Sequence, residues 1–183
     1  MDENNTENNN PDDVGGQENN AEVNSSTDSA AGIQAFEAVG KFMEDDGWHP
    51  QVIDDNYVYR AYFVGHNGEV TCFAQVRVDL EQFIFYVVMP VRAPANMRVA
   101  VAEYITRANY GLRIGNFEMD FDDGEVRYKS SLDFESVGLT PGLIRNTIYP
   151  AVQTMDRYLP GVLSVVFGGK SAEEAIGSVE DAV

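Results

Sequence analysis

A helix stop, a kinked strand, a tight turn and a second alternating strand follow one another between Asn109 and Phe134. Asn109 and Gly111 end a helical stripe. Arg113 to Phe121 reads as a strand whose apolar parity slips between Ile114 and Phe117. A glycine at such a slip, Gly115 beside Asn116, points to a bulge. Asp123-Gly124 is a strong hairpin signal. Beyond it, Val126, Tyr128, Leu132 and Phe134 face one way, while Arg127, Lys129, Ser131 and Asp133 face the other. An antiparallel pair reached through a helix sets the frame for the rest of the chain.

Upstream, Ile33, Phe36, Val39, Gly40 and Met43 share a helical face over 33–46, with Ser29 or a neighbour as cap and Gly47 as a left-handed stop. Tyr57–Val64 is aromatic and β-branched, hence a strand. Asn67-Gly68 turns it into Glu69–Asp79, where Val70, Cys72, Ala74, Val76 and Val78 alternate with polar neighbours. Gln82–Val91 is apolar at both parities, which predicts a central strand covered on both sides. A helix over 94–109 opens with Pro94 and buries Met97, Ala100, Val101, Tyr104, Ile105 and Ala108. Thr140-Pro141 starts a further helix that Pro150 kinks or splits, and Pro160 restarts a turn. Ser171-Ala-Glu-Glu174 is a capping box for a last short helix. The expected class is therefore α+β: an antiparallel sheet in the order α-β-β-β-α-β-β-α with C-terminal helical extensions.

Composition divides the 183 residues in two. Residues 1–32 hold eight Asn and eight Asp or Glu, with no Lys, Arg or aromatic residue. Such a segment buries too little apolar surface to offset its ordering entropy, so a disordered acidic tail is expected there and a single domain over 33–183. The net charge of −18 repels phosphate backbones and anionic lipid, which argues against nucleic-acid and membrane partners. No apolar run approaches a membrane span, and no signal peptide opens the sequence. One cysteine, Cys72, precludes an internal disulfide and is compatible with a reducing cytoplasm.

The element order is similar to the type III secretion chaperone-like fold. Three segments resemble more specifically the YbjN family, proteins labelled putative bacterial sensory transduction regulators. These are Ala108-Asn-Tyr-Gly-Leu-Arg-Ile-Gly-Asn-Phe-Glu118, the Asp123-Gly-Glu-Val-Arg-Tyr128 hairpin, and Met155-Asp-Arg-Tyr-Leu-Pro-Gly161. The resemblance covers about 33–180. It implies a small, cytoplasmic, dimeric protein that binds other proteins, and it carries over no catalytic residue and no cofactor.

Candidate chemistry is sparse. His49 and His66 are isolated, whereas zinc asks for three or four clustered ligands. Cys72 sits mid-strand among small apolar residues, as a structural thiol does. Asp45-Asp46, Asp54-Asp55 and Asp120-Asp122-Asp123 lack the ligand spacing of a calcium loop. Gly111 and Gly115 precede a strand rather than the helix a phosphate loop needs. A carboxylate pair, Glu118 and Asp120, falls on the solvent side. Two surface features remain. Tyr57, Tyr59, Phe63 and Phe73 supply aromatics to a sheet with one face to spare, the usual mark of an interface. Arg113, Arg127 and Lys129 form a basic spot on paired strands, either ion-paired across the sheet with Glu118, Asp120 or Asp133, or docking an acidic peptide. The reading is a non-enzymatic protein-interaction or chaperone-like module with a sensory-regulatory role. The alternative is a small-ligand sensor with a pocket between the sheet and the helix at 94–109.

Overall fold

The computed structural model describes residues 28–53 and 57–181, together with Met1. Most of the expected acidic tail, and the Asp54-Asp55 pair, lie outside the described residues. The chain runs α1 (Ala30–Asp45), β1 (Gln51–Ile53), β2 (Val58–Val64), β3 (Glu69–Arg77), β4 (Gln82–Val88), α2 (Arg98–Gly111), β5 (Asn116–Met119), β6 (Val126–Asp133), α3 (Pro141–Val166) and α4 (Ala172–Glu180). The expected α+β order is present, with one short edge strand, β1, added.

The six strands form one antiparallel sheet in the order β1-β2-β3-β4-β6-β5. α2 carries the chain from the end of β4 out to the far edge. The β5–β6 hairpin then returns it, so that β6 pairs with β4. One side of the sheet takes Cys72, Ala74 and Val76 of β3, Phe83, Phe85 and Val87 of β4, and Tyr128 of β6, all almost fully buried. α1 packs on β3, α3 lies over β4 and β6, and α2 packs on β5. α4 closes against α2 and α3.

Helix starts follow the caps. The Ser29 hydroxyl accepts from the Gly32 amide at 2.8 Å, so α1 begins inside the segment assigned by composition to the tail. Thr140 caps α3, and Ser171 with Glu174 forms the expected capping box. α2 starts at Arg98 rather than Pro94, which instead opens a turn through its carbonyl to the Met97 amide at 2.7 Å. Strand β5 is shorter than Arg113–Phe121. Gly115 is not a bulge within it but the residue that enters it, at φ +72°, where a Cβ would fall 2.6 Å from the Tyr128 ring. That ring packs edge-on against Phe117, and its hydroxyl donates to the Ile114 carbonyl.

Pro150 and Pro160 do not split α3, which continues through both. A proline removes one i→i−4 donor, so Pro160 leaves the Asp156 carbonyl without its helical partner. The Asn67 side-chain amide takes that place, donating to Asp156 O at 2.9 Å. The Asp156 carboxylate in turn accepts from the His66 and Asn67 amides at 3.1 and 2.7 Å. The β2–β3 turn is thus clamped onto the proline site of α3. One turn on, Gly161 admits the Tyr104 hydroxyl, which donates to the Tyr158 carbonyl at 3.0 Å. Asp156→Ala removes two bonds to a charged acceptor and is expected to cost about 1–3 kcal/mol. Denaturant melts will measure that loss, and hydrogen exchange will locate it first at the β2–β3 turn.

Candidate protein-interaction face

Strand alternation puts Ile84, Tyr86 and Val88 of β4 on the side opposite the helices. The ladder places their neighbours there too. Tyr86 stands beside Phe73 of β3 and Lys129 of β6; Val88 beside Thr71 and Arg127; Ile84 beside Gln75 and Ser131. β2 adds Val58, Arg60 and Tyr62, and β5 adds Asn116 and Glu118. No helix among the described residues covers this face. Val58, Phe73, Ile84, Tyr86 and Val88 are each half-buried by their strand neighbours alone. Among them lies a shallow depression of about 460 Å3, bordered by Phe73, Tyr86, Val88 and Arg127.

This corrects the expectation that β4 is covered on both sides. It also divides the aromatic set read from the sequence. Phe73 is on the open face. Tyr59 and Phe63 share the parity of Ala61, which pairs with buried Cys72, so they point toward the helices. Tyr59 stacks on Phe36 of α1 at 4.3 Å between centroids, and Phe63 stacks on Trp48 at 5.5 Å. Tyr57 meets Phe36 edge-on at 5.4 Å. β2 carries bulky residues at both parities, and only its register against β3 decides which of them face out. Tyr86 and Tyr62 also lie on the open face; the expectation that β4 is covered on both sides hides Tyr86 from a reading of the sequence.

The basic set divides as well. Arg113 is exposed in the loop before β5 and joins no strand. Arg127 and Lys129 do meet on the open face, and Glu118 holds both: Arg127 Nε at 2.6 Å and Lys129 Nζ at 2.8 Å. Cross-strand pairing, the simpler of the two expectations, is what the structure shows. Partial burial alone would raise the Glu118 carboxyl, but the contacts with Lys129 and Arg127 outweigh it and hold the group below its usual range. The Arg127 guanidinium also lies over the Tyr86 ring, 4.4 Å from its centroid, which fixes the ring as part of the surface. Asp120 lies beyond the strand, with its amide bonded to the Glu125 carbonyl, and borders with Glu118 a depression of about 400 Å3 that Arg127 also lines.

The β5 edge is capped at Phe117. The Asn109 side chain pairs with Phe117 as a strand would: its Oδ1 accepts from the Phe117 amide at 2.7 Å and its Nδ2 donates to the Phe117 carbonyl at 3.0 Å. An exposed edge otherwise invites another strand. The inward side of α2, where a ligand pocket was expected, is packed with Val101, Tyr104 and Ala108, all fully buried. The nearby depressions lie instead between α2 and α4 at Tyr110 and Ile176, and beside Phe121. Among the described residues, no three His, Cys, Asp or Glu side chains converge as metal ligands.

A family model described as "Putative bacterial sensory transduction regulator", YbjN, matches residues 35–164. The chain belongs to the YbjN family. A solved structure of YbjN from E. coli, described as a putative transcription regulator, aligns with a TM-score of 0.50 at 10% identity. The alignment covers 73% of this chain and 89% of that one. The ExsC–ExsE complex supplies a second similar chain, at a TM-score of 0.46 and 12% identity, with coverage of 69% and 92%. No curated protein matches in sequence. At these identities the YbjN structure speaks for the fold, which is the type III secretion chaperone-like one. Within the family frame, the segments singled out in the sequence acquire structural roles. Asn109 caps the β5 edge at Phe117, Gly115 admits Tyr128, and Asp156 clamps the β2–β3 turn.

Cys72 is buried, and burial pushes its thiol up to about 12. Burial first, and the neighbouring Tyr158 second, raise Tyr104 as well. Below pH 9.0, the ordinary value for the thiol, both folded and unfolded chains keep the proton and stability does not change through this group. Above it, the unfolded chain ionises first, so stability falls by up to about 1.4 kcal/mol per pH unit for each such group. Denaturant melts from pH 8 to 11 are expected to show this decline, and Cys72→Ala to remove its onset. A thiol reagent is expected to label native protein only at the rate of unfolding.

Proposed function

We infer that this chain is a non-enzymatic, chaperone-like protein-binding module with a regulatory role in the cytoplasm, and that it engages its partner through the open face of the sheet. The observation that carries this reading is β4. It is apolar at both parities, the pattern of a strand buried on both sides, yet the helices cover only one. A large apolar patch left in water marks a contact surface. The family supports a regulatory rather than a metabolic assignment. Residues 33–183 act as the working domain in this reading, and the acidic segment 1–32 keeps it soluble.

Partner binding is tested on the full chain. A protein captured from native lysate is purified and titrated against wild type and against Tyr86→Glu and Phe73→Glu. Both substitutions are expected to weaken binding at least about tenfold, since a charge replaces the aromatic centre of the face. Tyr110→Glu, on the helical side at an almost fully exposed position, is the control and should bind as wild type does. Equal binding by all four proteins would refute this assignment of the surface.

A further inference from the structure

We propose that the open sheet face takes an acidic, apolar segment of the partner protein, with a carboxylate set on Arg60 and a large apolar side chain on Phe73 and Tyr86. The proposal rests on the reading of that face as the contact surface and names the chemistry it contacts.

The first observation is which cations of the face are already taken. Alternation puts Arg60 of β2, Arg77 of β3, and Arg127 and Lys129 of β6 there. Glu118 holds both Arg127 and Lys129, and Asp79 lies 3.3 Å from Arg77. Arg60 alone of the four has no carboxylate partner among the described residues. A neutral group holds it instead: Nη2 donates to Oε1 of exposed Gln51 at 2.8 Å. The head lies 5.9 Å from the centroid of the Tyr62 ring. Its Nε is buried and makes no hydrogen bond among the described residues. A half-buried guanidinium with donors to spare suits a carboxylate, whose two oxygens match its planar fork.

The second is the charge of the whole chain. With 30 acidic residues against 12 basic, Arg60 is not left unmatched for want of acids. A partner carboxylate placed on Arg60 gains attraction without displacing an acid of this chain. On Arg127 or Lys129 it would have to displace Glu118.

The third is position. One row across the sheet reads Arg60, Phe73, Tyr86, Lys129. Strands lie about 4.8 Å apart, so Arg60 stands about 7 Å from the middle of the aromatic pair. Neighbours on one face of an extended segment or of a helix lie about that far apart, so one short segment carries both groups. Because Lys129 at the other end of the row is already neutralised, the carboxylate has one address and the segment one direction.

The test selects short random peptides against the full chain and titrates the enriched ones by fluorescence anisotropy. A net charge of −18 acting alone would enrich basic peptides. The proposal expects Asp or Glu beside Leu, Ile, Phe or Trp. Replacing the acids of such a peptide by their amides is expected to weaken wild-type binding at least about tenfold. Gln51→Glu, an isosteric change at an exposed position, gives Arg60 an internal carboxylate. It should abolish the preference for acids and leave the affinity for the amide peptide unchanged. Arg60→Gln should do the same, and Gln51→Glu decides the matter if circular dichroism shows that Arg60→Gln misfolds. Tyr86→Ala should weaken acidic and amide peptides alike, at least about tenfold. Enrichment of basic peptides, no enrichment, or an acid preference that survives in Gln51→Glu overturns the proposal. Apolar peptides that show no preference for acids, yet are lost on Tyr86→Ala, overturn the assignment of Arg60 alone and leave the contact surface standing. Acidic, apolar peptides that Tyr86→Ala retains overturn the reading of the face as well.

Discussion

The seat of α3 on the middle of the sheet depends on the pleat of β4. Phe83, Phe85 and Val87 point to one side and are fully buried, and α3 lies over them. Because the side-chain period of a strand is two, the same geometry sends Ile84, Tyr86 and Val88 to the other side. A one-residue slip of β4 against β3 or β6 would exchange the two sets, moving phenylalanines into water. The register that secures the core therefore also creates the apolar open face, and neither can be altered without the other.

α3 can cover β4 and β6 as one rigid element because two prolines fail to break it. The carbonyl that Pro160 releases finds Asn67, and Asp156 gathers the amides of the same turn. A helix defect thus becomes an attachment point for the β2–β3 hairpin, which carries Phe73 into its place beside Tyr86. At the opposite edge Asn109 supplies strand-like hydrogen bonds to Phe117. Asn67 and Asp156 thus seat the hairpin, and Asn109 caps the β5 edge at Phe117.

Much of this architecture was legible in the chain. Alternation in Glu69–Asp79, the Asn67-Gly68 and Asp123-Gly124 turns, and the capping residues Ser29, Thr140 and Ser171 are local signals, and each lies where expected. The short strand β1 was not legible, since three residues carry no period. The aromatics of β2 were assigned wrongly because Tyr59, Tyr62 and Phe63 occupy both parities. Choosing between them needs the pairing of Ala61 with Cys72 across the turn, which the pattern within β2 itself does not contain. Pro150 and Pro160 looked like breaks, because the donor that compensates Pro160 lies about 90 residues upstream in sequence.

The amino-acid sequence by itself determined the class, the order of elements, the family and the acidic balance of the chain, because these follow from composition and from periods of two and 3.6 residues. It also determined that β4 would be apolar on both sides. Only the tertiary structure decided that one of those sides stays uncovered, since helix placement depends on how α1, α2 and α3 share a single face of the sheet. It likewise decided that Arg127 and Lys129 are spoken for by Glu118. Glu118 lies on β5 and both bases on β6, and the register of that hairpin, which the sequence left open, brings the three groups within hydrogen-bonding reach.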